Sequence, residues 1–232
     1  TFSMISKLAK CIIYGDLLQK MLLKNRAYEV NKGETEKIYK RWMKKAKVLV
    51  VKSNMKQFKQ GIVEMIKDFE KIELDATLVK PKVGIVGEIL IKYHPFGNND
   101  IIKKLEEEGA EVVMPDFMGF IKFVATHKIT FNKLLNIDKT KAKIFKYAIK
   151  LIDKLEDTSR INLANSEKNY LPTCNIWELE KKVQDILSIG NQTGEGWFLT
   201  AEMIEYIEHG ISNVVCVQPF ACLPNHIVGK GV

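Results

Sequence analysis

The chain has 232 residues, 46% of them hydrophobic, so it can bury one large core or two small ones. The formal net charge is +8, but the lysines are scattered among acidic residues without an aromatic-rich basic patch, so a nucleic-acid partner is not expected. No apolar run approaches roughly 18 residues and no signal-peptide cleavage pattern follows the N-terminus, so we expect a cytoplasmic protein with no membrane partner. Because the chain lacks an initiator Met and ends directly after a turn-like glycine pair, we expect it to be a segment of a longer protein.

The N-terminal third has the spacing of amphipathic helices. Apolar residues recur every three or four positions over 3–25, 35–47 and 55–69, and a turn at 31–33 separates the first two runs. We therefore expect residues 1–78 to form a helical layer that packs on another element.

A β-α-β unit begins after Pro81. The glycine-bounded run 83–87 and the run 111–114 predict strands, and a helix is expected to begin between them at one of residues 98–100. Two strands joined in this way must be parallel. The sequence therefore predicts an α/β fold over residues 79–232, a Rossmann-like parallel sheet flanked by helices.

The remaining elements before the C-terminal stretch are helical with one exception. Apolar spacing predicts helices over 116–133, 139–155 and 175–188. The polar, asparagine-rich stretch 159–173 predicts an irregular insertion.

The C-terminal stretch reads as loop, helix, strand and loop. Thr200 is expected to cap a helix that Gly210 ends, and the run 214–217 predicts a buried strand. The loop 219–231 then follows the carboxyl end of a parallel strand, where ligands bind in open α/β sheets.

Two cysteines and two histidines stand in or near these loops. His94 and His226 each follow a predicted strand and are candidates for proton transfer. Cys222 lies in a loop, so we expect it to be more exposed than Cys216, which lies within the strand. The spacing of Cys222 leaves two interpretations open, a functional thiolate or a buried hydrophobic residue.

Neither a complete dinucleotide fingerprint nor a phosphate-binding loop is present, so no ATP site is expected in this chain.

Five segments carry a resemblance to a known family. They are residues 28–35, 82–95, 109–116, 190–203 and 216–226. Together they resemble the C-terminal region of the CoA-substrate-specific enzyme activase proteins. That region is similar to the iron-sulfur component of the 2-hydroxyacyl-CoA dehydratases and benzoyl-CoA reductases.

The resemblance implies a role in anaerobic metabolism. The intact protein would carry an oxygen-sensitive [4Fe-4S] cluster, and an ATP-hydrolysing activator domain or subunit would deliver a low-potential electron for chemistry on an acyl-CoA. The chain would be a segment of this lyase-type dehydratase and activase system, and we do not expect it to be active alone.

The resemblance also implies site residues. Cys222 matches the cysteine of the family loop, although Ala221 stands where a glycine is expected, and Cys216 is a second candidate ligand. A cluster takes three or four cysteines, so the segment is expected to hold an incomplete cluster. The expected cleft-lining residues at the strand ends are Glu88, His94, Glu195, Asn225 and His226.

A different class of function remains open. The shortage of cysteines favours a non-catalytic α/β interaction domain that docks an activase or dehydratase partner and binds no cofactor. The cysteine loop favours the cluster-bearing component. Binding of an acyl-CoA and formation of a homodimer are left open by the sequence.

Overall fold

The computed structural model describes residues 2–173 and 175–232. They divide into two compact units, one of residues up to Lys80 with Ile152–Thr173, and one of Pro81–Leu151 with the residues from 175 onward. The first boundary lies two residues from the predicted one at 78, whereas residues 152–173 cluster with the N-terminal helices. Within the described residues, no helix is long and apolar enough to cross a lipid bilayer.

The first unit contains three long helices. These are α1 (Phe2–Tyr28), α2 (Glu34–Lys52) and α3 (Met55–Glu70), as the apolar spacing predicts. Gly33 has a left-handed backbone conformation, with φ of 85°, and ends the predicted turn before α2. At the start of α3, Asn54 and Gln57 form a reciprocal capping box.

The polar stretch after residue 158 is helical at its start, which the sequence prediction had wrong. Helix α7 runs over Lys139–Ala164, and its residues Ser159 and Leu163 are both buried. These two residues lie one turn apart on the same face of the helix. Packing within the unit therefore stabilises a helix there, although the polar composition of the segment predicts an irregular structure. Beyond the helix, Lys168 donates hydrogen bonds to the side chain of Asn25 and to the carbonyl of Phe69.

The second unit contains a three-stranded sheet in the order β2-β1-β3, comprising β1 (Lys82–Gly87), β2 (Glu111–Val113) and β3 (Asn213–Val217). Both pairings are parallel, which confirms the predicted α/β fold with a parallel sheet flanked by helices. The short helices α4 (Ile89–Tyr93) and α5 (Ile101–Glu107) lie between β1 and β2 in the chain.

Strand β3 is less buried than the sequence predicts. Val214, Val215 and Val217 are half-buried, and Cys216 is exposed. The reason is that β3 lies at the edge of the described sheet, where only β1 pairs with it. A continuous apolar run is typical of a strand covered on both faces, and pattern alone does not distinguish an edge position from a central one.

Four helices build the apolar layer of this unit. They are α6 (Phe117–Leu135), the first part of α7, α8 (Ile176–Val183) and α9 (Gly196–Glu208). At the centre of the cluster, Phe123 stacks on Phe198 with ring centroids 5.2 Å apart and meets Trp197 edge-on at 5.4 Å.

Helix α9 begins four residues before Thr200, the predicted cap, and ends before Gly210, as predicted. Tyr206 of α9 lies over Gly84 of β1, where a Cβ atom would clash with the ring.

The start of α2 depends on a carboxylate from outside the helix. Glu29 is 4% exposed and accepts hydrogen bonds from the backbone N–H groups of Gly33 at 2.7 Å and Thr35 at 2.8 Å. Burial alone would raise the pKa of Glu29, but the hydrogen bonds from Thr35 and Gly33 outweigh it and hold the pKa below its ordinary value.

We expect Glu29→Gln to lower the free energy of unfolding of the first unit by about 1–2 kcal/mol at pH 7, because a charged acceptor is lost. Because the folded pKa of Glu29 is depressed, its carboxylate stabilises the folded state above pH 4.5, the ordinary pKa. This stabilisation is lost as pH falls through the folded pKa. The difference between the variant and the wild type in urea unfolding curves should therefore shrink as pH is lowered below 4.5. A difference that does not shrink in acid would contradict this role, and the exposed Glu73→Gln is the control.

Candidate functional site at the strand ends

Three segments meet at the carboxyl end of the sheet, and we call them together the strand-end site: residues 87–92, 194–202 and 216–226. The N–H of Glu88 donates to the carbonyl of Val217 at 2.9 Å, which joins the ends of β1 and β3. The N–H of Ile89 donates to Glu195 Oε1, also at 2.9 Å, which joins the end of β1 to the start of α9.

Two glycines permit these close approaches. Gly87 has φ of 127°, and a Cβ atom there would lie 1.9 Å from the carbonyl oxygen of Val217. Gly196 has φ of 49°, and its Cβ atom would lie 2.1 Å from the carbonyl oxygen of Asn191. A side chain at either position would separate the backbones that hold the site together.

A buried ion pair underlies the site. Lys92 and Glu202 are 1% and 4% exposed, and the Lys92 ammonium donates to both carboxylate oxygens at 3.1 and 3.0 Å. Burial raises the pKa of Glu202, Lys92 opposes the shift, and the charges of Glu195 and Asp116 add to it, so that the pKa lies above its ordinary value. Sequence reasoning did not single out this pair. The available signal was that Glu202 lies one turn after the buried Phe198, on the apolar face of α9.

Both candidate ligand cysteines belong to the site. Cys216 is exposed and Cys222 is half-buried, the reverse of the expected order, because β3 is an edge strand. A Cβ atom on Gly229 would lie 3.1 Å from the sulfur of Cys216, so the sulfur packs against the backbone there. This partial burial raises the pKa of the Cys216 thiol, Lys92 opposes the shift, and the nearby acidic groups and Cys222 reinforce it.

The expected cleft-lining residues divide into two groups. Glu195 and Asn225 are buried within the strand-end site, and a Cβ atom on Gly194 would lie 3.7 Å from Asn225 Oδ1. Glu88 lies beside them, and its carboxylate caps α4 by accepting from the N–H of Ile91 at 2.8 Å.

The two histidines are exposed. His94 Nδ1 accepts a hydrogen bond from the N–H of Gly97 at 3.0 Å, within its own loop. The ring of His226 lies beside Gln218, with Nδ1 3.3 Å from Gln218 Nε2. Gln218, like Lys92 and Glu202, was not selected from the sequence.

The loop after β3 is anchored by its continuation. Residues Leu223–Asn225 form a single turn, α10, and His226–Lys230 continue as a π-helical turn. The hydroxyl of Thr200 donates to the carbonyl of Val228 at 2.7 Å, a contact that is buried. Thr200 thus fastens the end of this loop to α9 instead of capping the helix.

We expect Lys92→Met to lower the free energy of unfolding of the second unit by about 3–5 kcal/mol, because it leaves the Glu202 carboxylate buried and unpaired. The double variant Lys92→Met/Glu202→Leu should recover most of the loss, since neither member of the pair is then left as an unpaired buried charge. Chemical denaturation followed by far-ultraviolet circular dichroism measures both. A double variant no more stable than the single variant would show that the pair does not act as a unit.

No protein-family model, curated protein or solved structure matches the chain. In the residues that the structure describes, no group of three or more His, Cys, Asp or Glu side chains is placed to hold a metal ion. The strand-end site contains two free thiols, Cys216 and Cys222, beside a buried polar cluster.

Proposed function

We propose that the chain is a segment of the iron-sulfur component of an ATP-dependent 2-hydroxyacyl-CoA dehydratase or activase system. One observation carries the proposal: Cys222 lies in the loop after β3, at the carboxyl end of a parallel sheet, with Cys216 in the same site. This is the edge at which α/β proteins bind ligands. The resemblance of the loop 216–226 to the cluster-bearing family supplies the identity of the ligand.

Two residues of the strand-end site are of the type that ligates a [4Fe-4S] cluster. Thiolates are the ligands that iron-sulfur clusters take, and both thiols are free and at least partly accessible. Clusters of this class take three or four cysteines, so the remaining ligands would come from outside this site. Cys222 would hold the cluster, with Cys216 as the second ligand from this chain.

The surrounding residues have separate tasks in this proposal. When bound, such a cluster accepts and donates single electrons at low potential. Gly87 and Gly196 hold the three segments together, and Thr200 fixes the end of the cysteine loop. Burial raises the pKa of the Cys216 thiol, and the positive charge of Lys92 opposes that shift without reversing it.

The proposal includes partners and a location. An ATP-hydrolysing activator domain or subunit supplies the electron, and an acyl-CoA is the molecule on which the complete system acts. We place the system in the cytoplasm of an anaerobically growing cell. The segment is not active by itself, because it provides only part of the ligand set.

A second function is supported by the surface of the same edge. Large apolar side chains are exposed in the segment that follows β3, namely Phe220, Leu223 and Ile227, and Phe96 is exposed after α4. Exposed apolar side chains that lie close together in the chain, as the first three do, are typical of a protein-protein contact. This exposure favours a non-catalytic domain that docks an activase or dehydratase partner and binds no cofactor.

We expect the full-length protein, purified without oxygen, to contain stoichiometric iron and acid-labile sulfide and to show the broad absorption of thiolate-bound iron. Cys222→Ser should lose most of the iron, because one ligand of this chain is removed, while Cys11→Ser on α1 should retain it. Iron and sulfide assays and visible spectra, with circular dichroism as the folding check, give the result.

The same experiment separates the two functions. If the wild type and Cys222→Ser are equally folded and both colourless, the cluster is absent and the domain acts by docking. If Cys11→Ser loses as much iron as Cys222→Ser, the loss does not report on the strand-end site.

A further inference from the structure

Three buried oxygen atoms of the strand-end site have no hydrogen-bond partner among the described residues. They are Glu195 Oε2, Asn225 Oδ1 and Gln218 Oε1. Glu195 is 3% exposed and Asn225 is fully buried, so bulk water does not solvate these atoms. An ionised carboxylate oxygen without a partner is costly to bury, and folded proteins almost always satisfy such a group.

The three residues come from two segments of the chain, the start of α9 and the loop after β3. Glu195 directly follows Gly194, whose Cβ position lies 3.7 Å from Asn225 Oδ1. Gln218 contacts His226, the neighbour of Asn225, through its Nε2 atom at 3.3 Å. The start of α9 and the loop after β3 thus bring the unsatisfied oxygens to one side of the sheet end.

The unsatisfied groups are mostly acceptors. Among these three side chains, only Asn225 Nδ2 is an unsatisfied donor, against three acceptor oxygens. The indole nitrogen of Trp197 also lacks a partner, but its ring packs in the apolar cluster against Phe123. The buried lysine of the strand-end site, Lys92, is engaged by both oxygens of Glu202. Among the described residues, the three unsatisfied oxygens lack a partner that carries positive charge, and another hydrogen-bond acceptor would not satisfy them.

We propose that the strand-end site binds a small inorganic cation of the alkali or alkaline-earth class through Glu195, Asn225 and Gln218. Carboxylate and amide oxygens are the ligands that such hard cations prefer, whereas the neighbouring thiols suit soft metals. The cation site uses none of the cysteines and is independent of the iron-sulfur proposal. A bound cation links the start of α9 to the loop that carries Cys222 and orders that loop.

The test is a thermal unfolding series of the full chain in NaCl, KCl, MgCl2 and CaCl2, each compared with choline chloride at the same ionic strength. We expect at least one of the four cations to raise the melting temperature by about 3 °C or more at roughly ten times its Kd. Glu195→Gln keeps an acceptor for the N–H of Ile89 but removes the charge, so it should abolish the shift. The exposed Glu108→Gln should retain it.

A second variant tests the proposal in the opposite direction. Asn225→Asp adds a carboxylate to the site and should lower the Kd of the same cation by about tenfold, since ligand charge tunes cation affinity. Cys222→Ser should leave the shift unchanged, which separates this site from any iron bound by the thiols. Equal transitions in all five salts would mean that only water occupies the site and would overturn the proposal. A shift that persists in Glu195→Gln, or a Kd that Asn225→Asp fails to lower, would do the same.

Discussion

The pairing of β1 with β3 is the constraint on which the second unit depends. Five successive residue pairs, from Val83 with Asn213 to Gly87 with Val217, hold together segments that are 130 residues apart in the chain. The last pair ends in backbone contact, which the missing side chain of Gly87 permits. Because both strands run in the same direction, the residues that follow them leave the sheet at the same edge. Every residue of the strand-end site is placed by this pairing or by α9, which lies over it.

The interior beneath that edge is polar, and this is unusual for a small sheet. Lys92 and Glu202 form a buried ion pair. The loss of hydration of both groups opposes formation of the pair, so its main contribution to the folded state is that neither charge is left buried without a partner. Glu195 adds a second carboxylate whose Oε1 atom is satisfied by the backbone of α4 and whose Oε2 atom is not. Buried groups of this kind fix the positions of loops more precisely than apolar contacts do, and they cluster at functional sites. The proposed functions follow from this polar interior and from the thiols above it.

Soft and hard ligands lie side by side at the sheet end. The thiols of Cys216 and Cys222 favour iron, and the oxygens of Glu195 and Asn225 favour alkali or alkaline-earth cations. The two chemistries share the loop after β3, so an ion held by the oxygens would reduce the freedom of the loop that carries Cys222. The segment after β3 also exposes the apolar side chains of Phe220, Leu223 and Ile227.

The sequence by itself determined the helices of the first unit, the β-α-β unit and the edge of the sheet at which the predicted site residues follow the strands. These features follow from local periodicity, from glycine and proline at the ends of elements, and from the rule that parallel strands end together. The burial of Lys92 and Glu202, the helical start at Gly196 and the exposure of Cys216 were decided only by the tertiary structure. A charged residue becomes buried because a partner from another segment neutralises it, and a strand becomes an edge because no neighbour pairs with its second side. Neither condition is written in the local pattern, because each depends on residues that are distant in the chain.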